Sequence, residues 1–147
     1  KILYMVRDPL KVIPSGLSLV TGVLDKKFGF WSLSQSKRDQ YIARLYNALV
    51  ELLRRFHEDW TNESINRSMV LIVRYDQMMS NFEQLMDSIL DFIDQQPSED
   101  LIEEIKKTAE AQRNYKSKHG YDLKKFGLTE EKIKKDCQFI YETFLTE

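Results

Sequence analysis

The residues of this chain best suited to bind an anion are Arg7 and Ser15, which lie eight positions apart near its start. Arg7 follows an apolar run typical of a β-strand, and Asp8 and Pro9 after it are typical of the first residues of a helix. Open α/β sheets bind anions where a strand gives way to a helix, with help from backbone N–H groups at the helix start. The spacing therefore allows a guanidinium and a hydroxyl to converge on one phosphate or sulfate group.

A purely structural interpretation accounts for the same residues. Arg7 could pair with Asp8 or with another surface acid, and Ser15 could be no more than a small helix residue. The spacing alone does not decide between the two interpretations.

Length and composition indicate a globular chain. Its 147 residues fit one domain spanning residues 1–147, and 42% hydrophobic with 31% charged residues exclude a disordered chain. The net charge of −1 argues against a protein that binds nucleic acid through bulk electrostatics. Five glycines and three prolines are few, which predicts long helices and short loops.

The single cysteine, Cys137, rules out an internal disulfide and favours a reducing compartment, so the predicted location is cytoplasmic. Two Asn-x-Ser triplets, at Asn62 and Asn66, keep the Golgi lumen open as an alternative. No apolar run approaches the ~20 residues that span a bilayer, so no membrane segment is expected. No Cys/His set has zinc spacing, and no metal site is predicted.

The apolar patterns predict the order strand, two helices, strand, three helices. The strands are expected at residues 2–6 and 69–73, and a long helix between them at residues 37–59, capped by Ser36. Two strands joined by a helical crossover form a parallel sheet, so the expected fold class is α/β, a helix-rich parallel sheet covered by helices.

Details of three segments bear on the candidate site. The first helix begins at Pro9, kinks at Pro14, or begins properly only near Ser15. The last helix is expected to start after Thr129 as one continuous element. The connector between the first two helices holds three aromatic residues that are expected in the core, with the lining of a binding pocket as the alternative: Phe28, Phe30 and Trp31.

Three segments resemble the sulfotransferases that use 3′-phosphoadenosine 5′-phosphosulfate (PAPS). The segment VRDPLKVIPS resembles the family's 3′-phosphate-binding segment, in which a serine follows the arginine of Arg-Asp-Pro by eight positions. The segment VLIVRYDQMMSNFEQLMDSILDFI is similar to a later strand-helix unit of the family. The segment FGLTEEKIKKDCQFIYETF resembles its C-terminal helix. All three occur in the family's order.

The resemblance implies roles for individual residues in binding the donor. Arg7 and Ser15 would bind the 3′-phosphate of PAPS, and Tyr75 lies where the family places a tyrosine against adenine. For Tyr75, a core tyrosine with a satisfied hydroxyl is an equally open interpretation.

The loop at residues 112–121 lies where better-known members carry an Arg-Lys-Gly phosphate clamp, which this chain lacks. Arg113, Lys116 and Lys118, with His119, could supply positive charge to the nucleotide instead. A solvated basic face is the alternative interpretation of these residues.

Other parts of the family's site have no counterpart in this sequence. The first strand, the phosphate loop with its lysine, and the catalytic base would lie upstream of Lys1, and neither His57 nor His119 is predicted to be the base. The chain is therefore expected to be the C-terminal portion of a sulfotransferase domain with a P-loop-like fold. It would lack the N-terminal half and be inactive alone.

The implied reaction is transfer of a sulfuryl group from PAPS to an acceptor hydroxyl or amine, leaving adenosine 3′,5′-bisphosphate. The acceptor stays open among glycans, lipids, small alcohols and peptides. Two other functions remain as alternatives: a non-enzymatic helical interaction module, and a kinase-like nucleotide-binding α/β enzyme.

Overall fold

The computed structural model describes residues 1–114, 120 and 122–146. These residues form two compact units, which we call the strand unit (residues 1–7 and 65–114) and the helical unit (residues 8–64, 120 and 122–146). In chain order the elements are β1 (Ile2–Val6), α1 (Pro9–Phe28), α2 (Gln35–Thr61), β2 (Val70–Arg74), α3 (Tyr75–Ser80), α4 (Phe82–Ile93), α5 (Glu99–Asn114), α6 (Glu130–Asp136) and α7 (Gln138–Phe144). Short 3₁₀ turns lie at Phe30–Ser32, Arg67–Met69 and Leu123–Phe126.

The strand unit is built on a parallel pair. β1 and β2 run side by side with Ile2 opposite Val70 and Val6 opposite Arg74. Helix α4 contacts β2 and packs on α5, and the buried side chains of the two helices include Leu85. A helix-rich α/β fold with a parallel sheet is therefore confirmed.

β1 is less buried than its apolar sequence predicts. Ile2, Leu3 and Met5 are 55%, 48% and 49% exposed, whereas Val6 is 4% exposed. Within the described residues β2 is the strand that pairs with β1, and it covers one of its two edges.

The helical unit is built around a cluster of buried hydrophobic side chains. Its centre lies where α1 meets α2 and α6, and Gly16 allows α1 to approach α2 closely, because a methyl group there would lie 3.0 Å from Cδ1 of Leu49. The buried members of this cluster are Ile13, Leu17, Phe30, Ile42, Tyr46, Val50, Phe126, Leu128, Ile133 and Cys137.

Helix α1 begins where the Asp-Pro pair predicts and continues without interruption. Asp8 is its N-cap, Pro9 is its first residue, and Pro14 lies buried within it. A proline this early removes a single intrahelical hydrogen bond, so the expected start near Ser15 is wrong. The helix ends at Gly29, whose φ of 65° is the left-handed conformation that favours glycine.

Several expected boundaries are corrected by the structure. α2 begins at Gln35 after Ser34, so Ser36 is not its cap. The expected last helix is two helices, α6 and α7, which meet at Cys137. Phe30 is buried as expected, but Phe28 is 75% exposed at the end of α1 and is not a core residue.

The thiol of Cys137 is expected to be unreactive in the native protein. Its side chain is fully buried, and burial together with the charge of Asp136 raises the pKa of the thiol to about 11. Only about 0.1% of the thiol would then be thiolate at pH 8, and a thiol reagent in solution would have no access to the buried side chain. An aromatic disulfide reagent should release its coloured thiolate only after denaturant is added. Stoichiometric release within minutes from the native protein would contradict the prediction.

No helix in the described part of the chain combines the length and apolar character needed to cross a membrane. Among residues 1–114, 120 and 122–146, no cluster of three or more His, Cys, Asp or Glu side chains is arranged to hold a metal ion.

Candidate functional site

The candidate site in the strand unit lies where both strands end. Because β1 and β2 are parallel and Val6 lies opposite Arg74, the next residue of each chain segment, Arg7 and Tyr75, emerges at the same edge of the sheet. The central guanidinium carbon of Arg7 lies 3.9 Å from the centroid of the Tyr75 ring. This is a cation–π contact, and it fixes the guanidinium at the carboxyl end of the sheet.

Arg7 carries a donor that the described residues do not satisfy. Its Nε is buried and has no hydrogen-bond partner in the part of the chain that the structure describes. A buried donor without an acceptor costs about 1–3 kcal/mol, and more when it is charged, so such groups are rare in folded proteins. An anionic ligand would supply the missing acceptor. Within the part of the chain that the structure describes, the guanidinium of Arg7 stacks on Tyr75.

The neighbouring arginine at the same edge is already neutralised. Arg74, the last residue of β2, donates from Nη2 to Oδ2 of Asp76 at 2.7 Å and from Nε to Oδ1 at 3.1 Å. These charge-assisted bonds hold the pKa of Asp76 below its usual range. Among the described residues at this end of the sheet, the unsatisfied buried donor belongs to Arg7.

Ser15 lies in the helical unit, on the second turn of α1, and is half-buried. The backbone at the start of this helix differs from the expectation of free N–H donors. Leu10 N donates to Oδ1 of Asp8 at 2.9 Å, and the N–H groups of Lys11 and Val12 donate to the carbonyl of Asp8 at 2.8 and 3.1 Å. The amides of Leu10, Lys11 and Val12 are therefore already hydrogen-bonded to Asp8.

The basic loop residues are described only in part. Arg113, in the last turn of α5, donates from Nη2 to Oε1 of Glu83 at 3.2 Å and from Nε to the carbonyl of Ala109 at 3.3 Å. Its charge is thus partly neutralised within the strand unit. Lys116, Lys118 and His119 lie outside the described residues.

His57, which is not predicted to be the catalytic base, is half-buried in the helical unit. Its Nε2 lies 3.0 Å from Oγ1 of Thr143, and its ring centroid lies 5.0 Å from that of Phe139. These contacts with α7 give the histidine a packing role, because α2 and α7 are joined through it.

Sequence reasoning missed one link at the start of α1. Tyr141 of α7 donates its hydroxyl to Oδ1 of Asp8 at 2.7 Å, across 133 residues of sequence. Burial first, and the bond to Asp8 second, raise the pKa of Tyr141 above its ordinary value. The phenol is therefore protonated at neutral pH and acts as the donor. No local pattern in the sequence connects these two residues.

Comparison with known proteins assigns the chain to a family. No curated protein and no solved structure matches the chain significantly. A family model described as sulfotransferase family matches residues 1–100, which is 100 of the 147 residues. The match includes both strands and all of α1 to α4, hence Arg7, Ser15 and Tyr75, whereas Arg113 and the helices α6 and α7 lie beyond it. Arg7, whose Nε has no acceptor among the described residues, lies in the matched segment. Because the match covers more than half of the chain, the chain belongs to the sulfotransferase family.

Proposed function

We propose that this chain supplies the 3′-phosphate and adenine side of the donor site for transfer of a sulfuryl group from PAPS to a hydroxyl or amine of an acceptor such as a glycan, a lipid or a small alcohol. Membership of the sulfotransferase family supports the reaction class. The observation that carries the choice of donor is the buried Nε of Arg7, which has no acceptor among the described residues and lies at the carboxyl end of the sheet. We place the protein in the cytoplasm, because its one thiol is buried and free.

In this proposal Arg7 and Ser15 both contact the 3′-phosphate of the donor. A phosphate monoester carries close to two negative charges at neutral pH, so the guanidinium contributes a charge-assisted bond and the hydroxyl a weaker neutral donor. The 3′-phosphate takes no part in bond breaking, since the sulfuryl group leaves from the 5′-phosphate. Its binding instead holds the donor in place for in-line transfer. It also lets the site distinguish PAPS from adenosine 5′-phosphosulfate, which lacks the 3′-phosphate.

The base of the nucleotide is assigned to Tyr75. Arg7 lies over the ring of Tyr75, so phosphate and adenine would be held by two side chains that already contact each other. Arg113, Lys116 and Lys118 are assigned a supporting electrostatic role toward the same nucleotide. The ion pair of Arg113 with Glu83 limits its share of that role.

Ligand-dependent melting of the purified protein tests the proposal. Adenosine 3′,5′-bisphosphate at 100 times its Kd should stabilise the protein by about 2.7 kcal/mol, since the ligand binds the folded state alone. Adenosine 5′-monophosphate, which lacks the 3′-phosphate, is the matched control and should shift Tm far less at the same concentration.

Two other results of the melting experiment would favour a different function. Stabilisation by ATP without stabilisation by the bisphosphate would replace the proposal with a kinase-like enzyme. No response to any of these nucleotides would favour a helical interaction module.

A further inference from the structure

The residue that joins Arg7 to α1 is held by the last helix of the chain. Asp8 is the single residue between Arg7 and the first residue of α1, with φ −48° and ψ 120°. Oδ1 of Asp8 accepts from Leu10 N at 2.9 Å and from the Tyr141 hydroxyl at 2.7 Å.

Three backbone N–H groups of this turn donate to Asp8. Its carbonyl accepts from Lys11 N and Val12 N, and its carboxylate accepts from Leu10 N. Because Pro9 has no N–H group, the first turn of α1 depends on one residue for its hydrogen bonds. A change in the position of Asp8 would therefore change the first turn of the helix whose second turn carries Ser15.

Tyr141 is the group outside α1 that fixes Asp8 within the helical unit. The phenol is half-buried and belongs to α7, and Ile140 and Phe144 of the same helix are buried, which anchors its backbone. A hydrogen bond from a neutral phenol to a carboxylate is stronger than one between neutral groups. The bond thus ties a packed helix to the N-cap of α1.

We propose that Tyr141 is a positioning residue for donor binding, whose hydroxyl holds Asp8 and with it the start of α1 in the conformation that binds the 3′-phosphate. The inference rests on the proposed function, because it assigns Tyr141 a role in the same site. Tyr141 itself contacts neither the nucleotide nor the acceptor. Its effect on the ligand passes through Asp8.

A second tyrosine of the helical unit provides a matched control. Tyr46 of α2 donates its hydroxyl to Oδ2 of Asp136 at 2.7 Å, and Asp136 also accepts from Lys132 Nζ at 2.8 Å. Tyr46→Phe and Tyr141→Phe therefore each remove one tyrosine hydroxyl and its bond to an aspartate. Both variants should lose a similar amount of stability in urea.

Only Tyr141→Phe should alter recognition of the 3′-phosphate. By calorimetry, its affinity for adenosine 3′,5′-bisphosphate should fall about 2-fold to 10-fold, the range for one hydrogen bond, while its affinity for adenosine 5′-monophosphate stays unchanged. Tyr46→Phe should bind both nucleotides like the wild type. An unchanged bisphosphate affinity in Tyr141→Phe would overturn the inference. Equal losses for the two nucleotides, or an equal loss in Tyr46→Phe, would also overturn it.

Variants of Asp8 keep the inference testable if Tyr141→Phe does not fold. Asp8→Asn retains an oxygen acceptor for both donors and should bind the bisphosphate close to the wild type, whereas Asp8→Ala should lose affinity as Tyr141→Phe does. Adding Tyr141→Phe to Asp8→Ala should cause no further loss, because the two residues act through one bond. Additive losses would contradict the inference. Failure of the wild type to bind the bisphosphate would reject the proposed function itself.

Discussion

Replacing Arg7 with alanine is expected to weaken binding of adenosine 3′,5′-bisphosphate by about 30-fold to 100-fold. That range corresponds to about 2–3 kcal/mol for a lost charge-assisted hydrogen bond, at 1.4 kcal/mol for each factor of ten. The buried Nε of Arg7 has no acceptor among the described residues, so the ligand gains the whole bond. Isothermal calorimetry on folded protein measures the change directly.

The same variant should bind adenosine 5′-monophosphate almost as well as the wild type, because the lost contact is to the 3′-phosphate. Arg7→Lys should fall between wild type and Arg7→Ala, since an ammonium keeps the charge but lacks the planar fork of donors. Ser15→Ala should cost less, about 1 kcal/mol, as expected for a neutral donor. Negligible and equal effects of Arg7→Ala and Ser15→Ala would contradict the assignment of both residues.

Loss of packing around Arg7 needs its own control, because the guanidinium also stacks on Tyr75. Arg54 is suited to this purpose. Its guanidinium lies 4.7 Å from the ring centroid of Phe139 within the helical unit. Arg54→Ala removes a comparable arginine–aromatic contact and should lower Tm without changing the affinity for the bisphosphate. A similar loss of affinity in Arg54→Ala would mean that the effect of Arg7→Ala is a general consequence of destabilisation.

The part of the site that lies on the sheet could be predicted because local patterns determine it. One apolar run ends just before Arg7, and a second ends two residues before Tyr75. Parallel pairing of the two strands then brings Arg7 and Tyr75 to the same end of the sheet. The Asp-Pro pair likewise predicts the start of α1, because N-cap and first-turn preferences act over a few residues. These interactions depend on neighbours in the sequence.

The features that sequence reasoning missed depend on distant residues. The bond from Tyr141 to Asp8 spans 133 positions, and no periodicity signals which tyrosine reaches which acid. α3 is a helix of six residues, too short to show a repeating apolar face. Phe28 has the apolar aromatic side chain typical of a core residue, yet it is the last residue of α1 and its side chain is exposed. In each case packing across the fold decides the outcome.

Leu17→Ala is expected to lower the free energy of unfolding of the helical unit by about 2–5 kcal/mol. Leu17 is fully buried in the cluster where α1, α2 and α6 meet, so truncation both loses transfer free energy and leaves a cavity. Alanine and leucine are both good helix formers, so the change does not act through helix propensity. The loss should appear as a lower urea midpoint with an unchanged slope.

Tryptophan fluorescence can follow the unfolding of Leu17→Ala, and a second leucine of α1 provides the control variant. The two tryptophans, Trp31 and Trp60, belong to the helical unit, so their fluorescence reports on the unit that contains Leu17. Leu19→Ala makes the same substitution two residues along α1, where the side chain is 70% exposed, and should change stability by no more than about 0.5 kcal/mol. Ser15 lies on the same helix as Leu17, so donor binding should depend on the helical unit being folded. The affinity of Leu17→Ala for the donor should therefore be preserved only at urea concentrations at which the tryptophan signal is still native. Equal destabilisation by the two variants would mean that the centre of the helical unit is not where α1 meets α2 and α6.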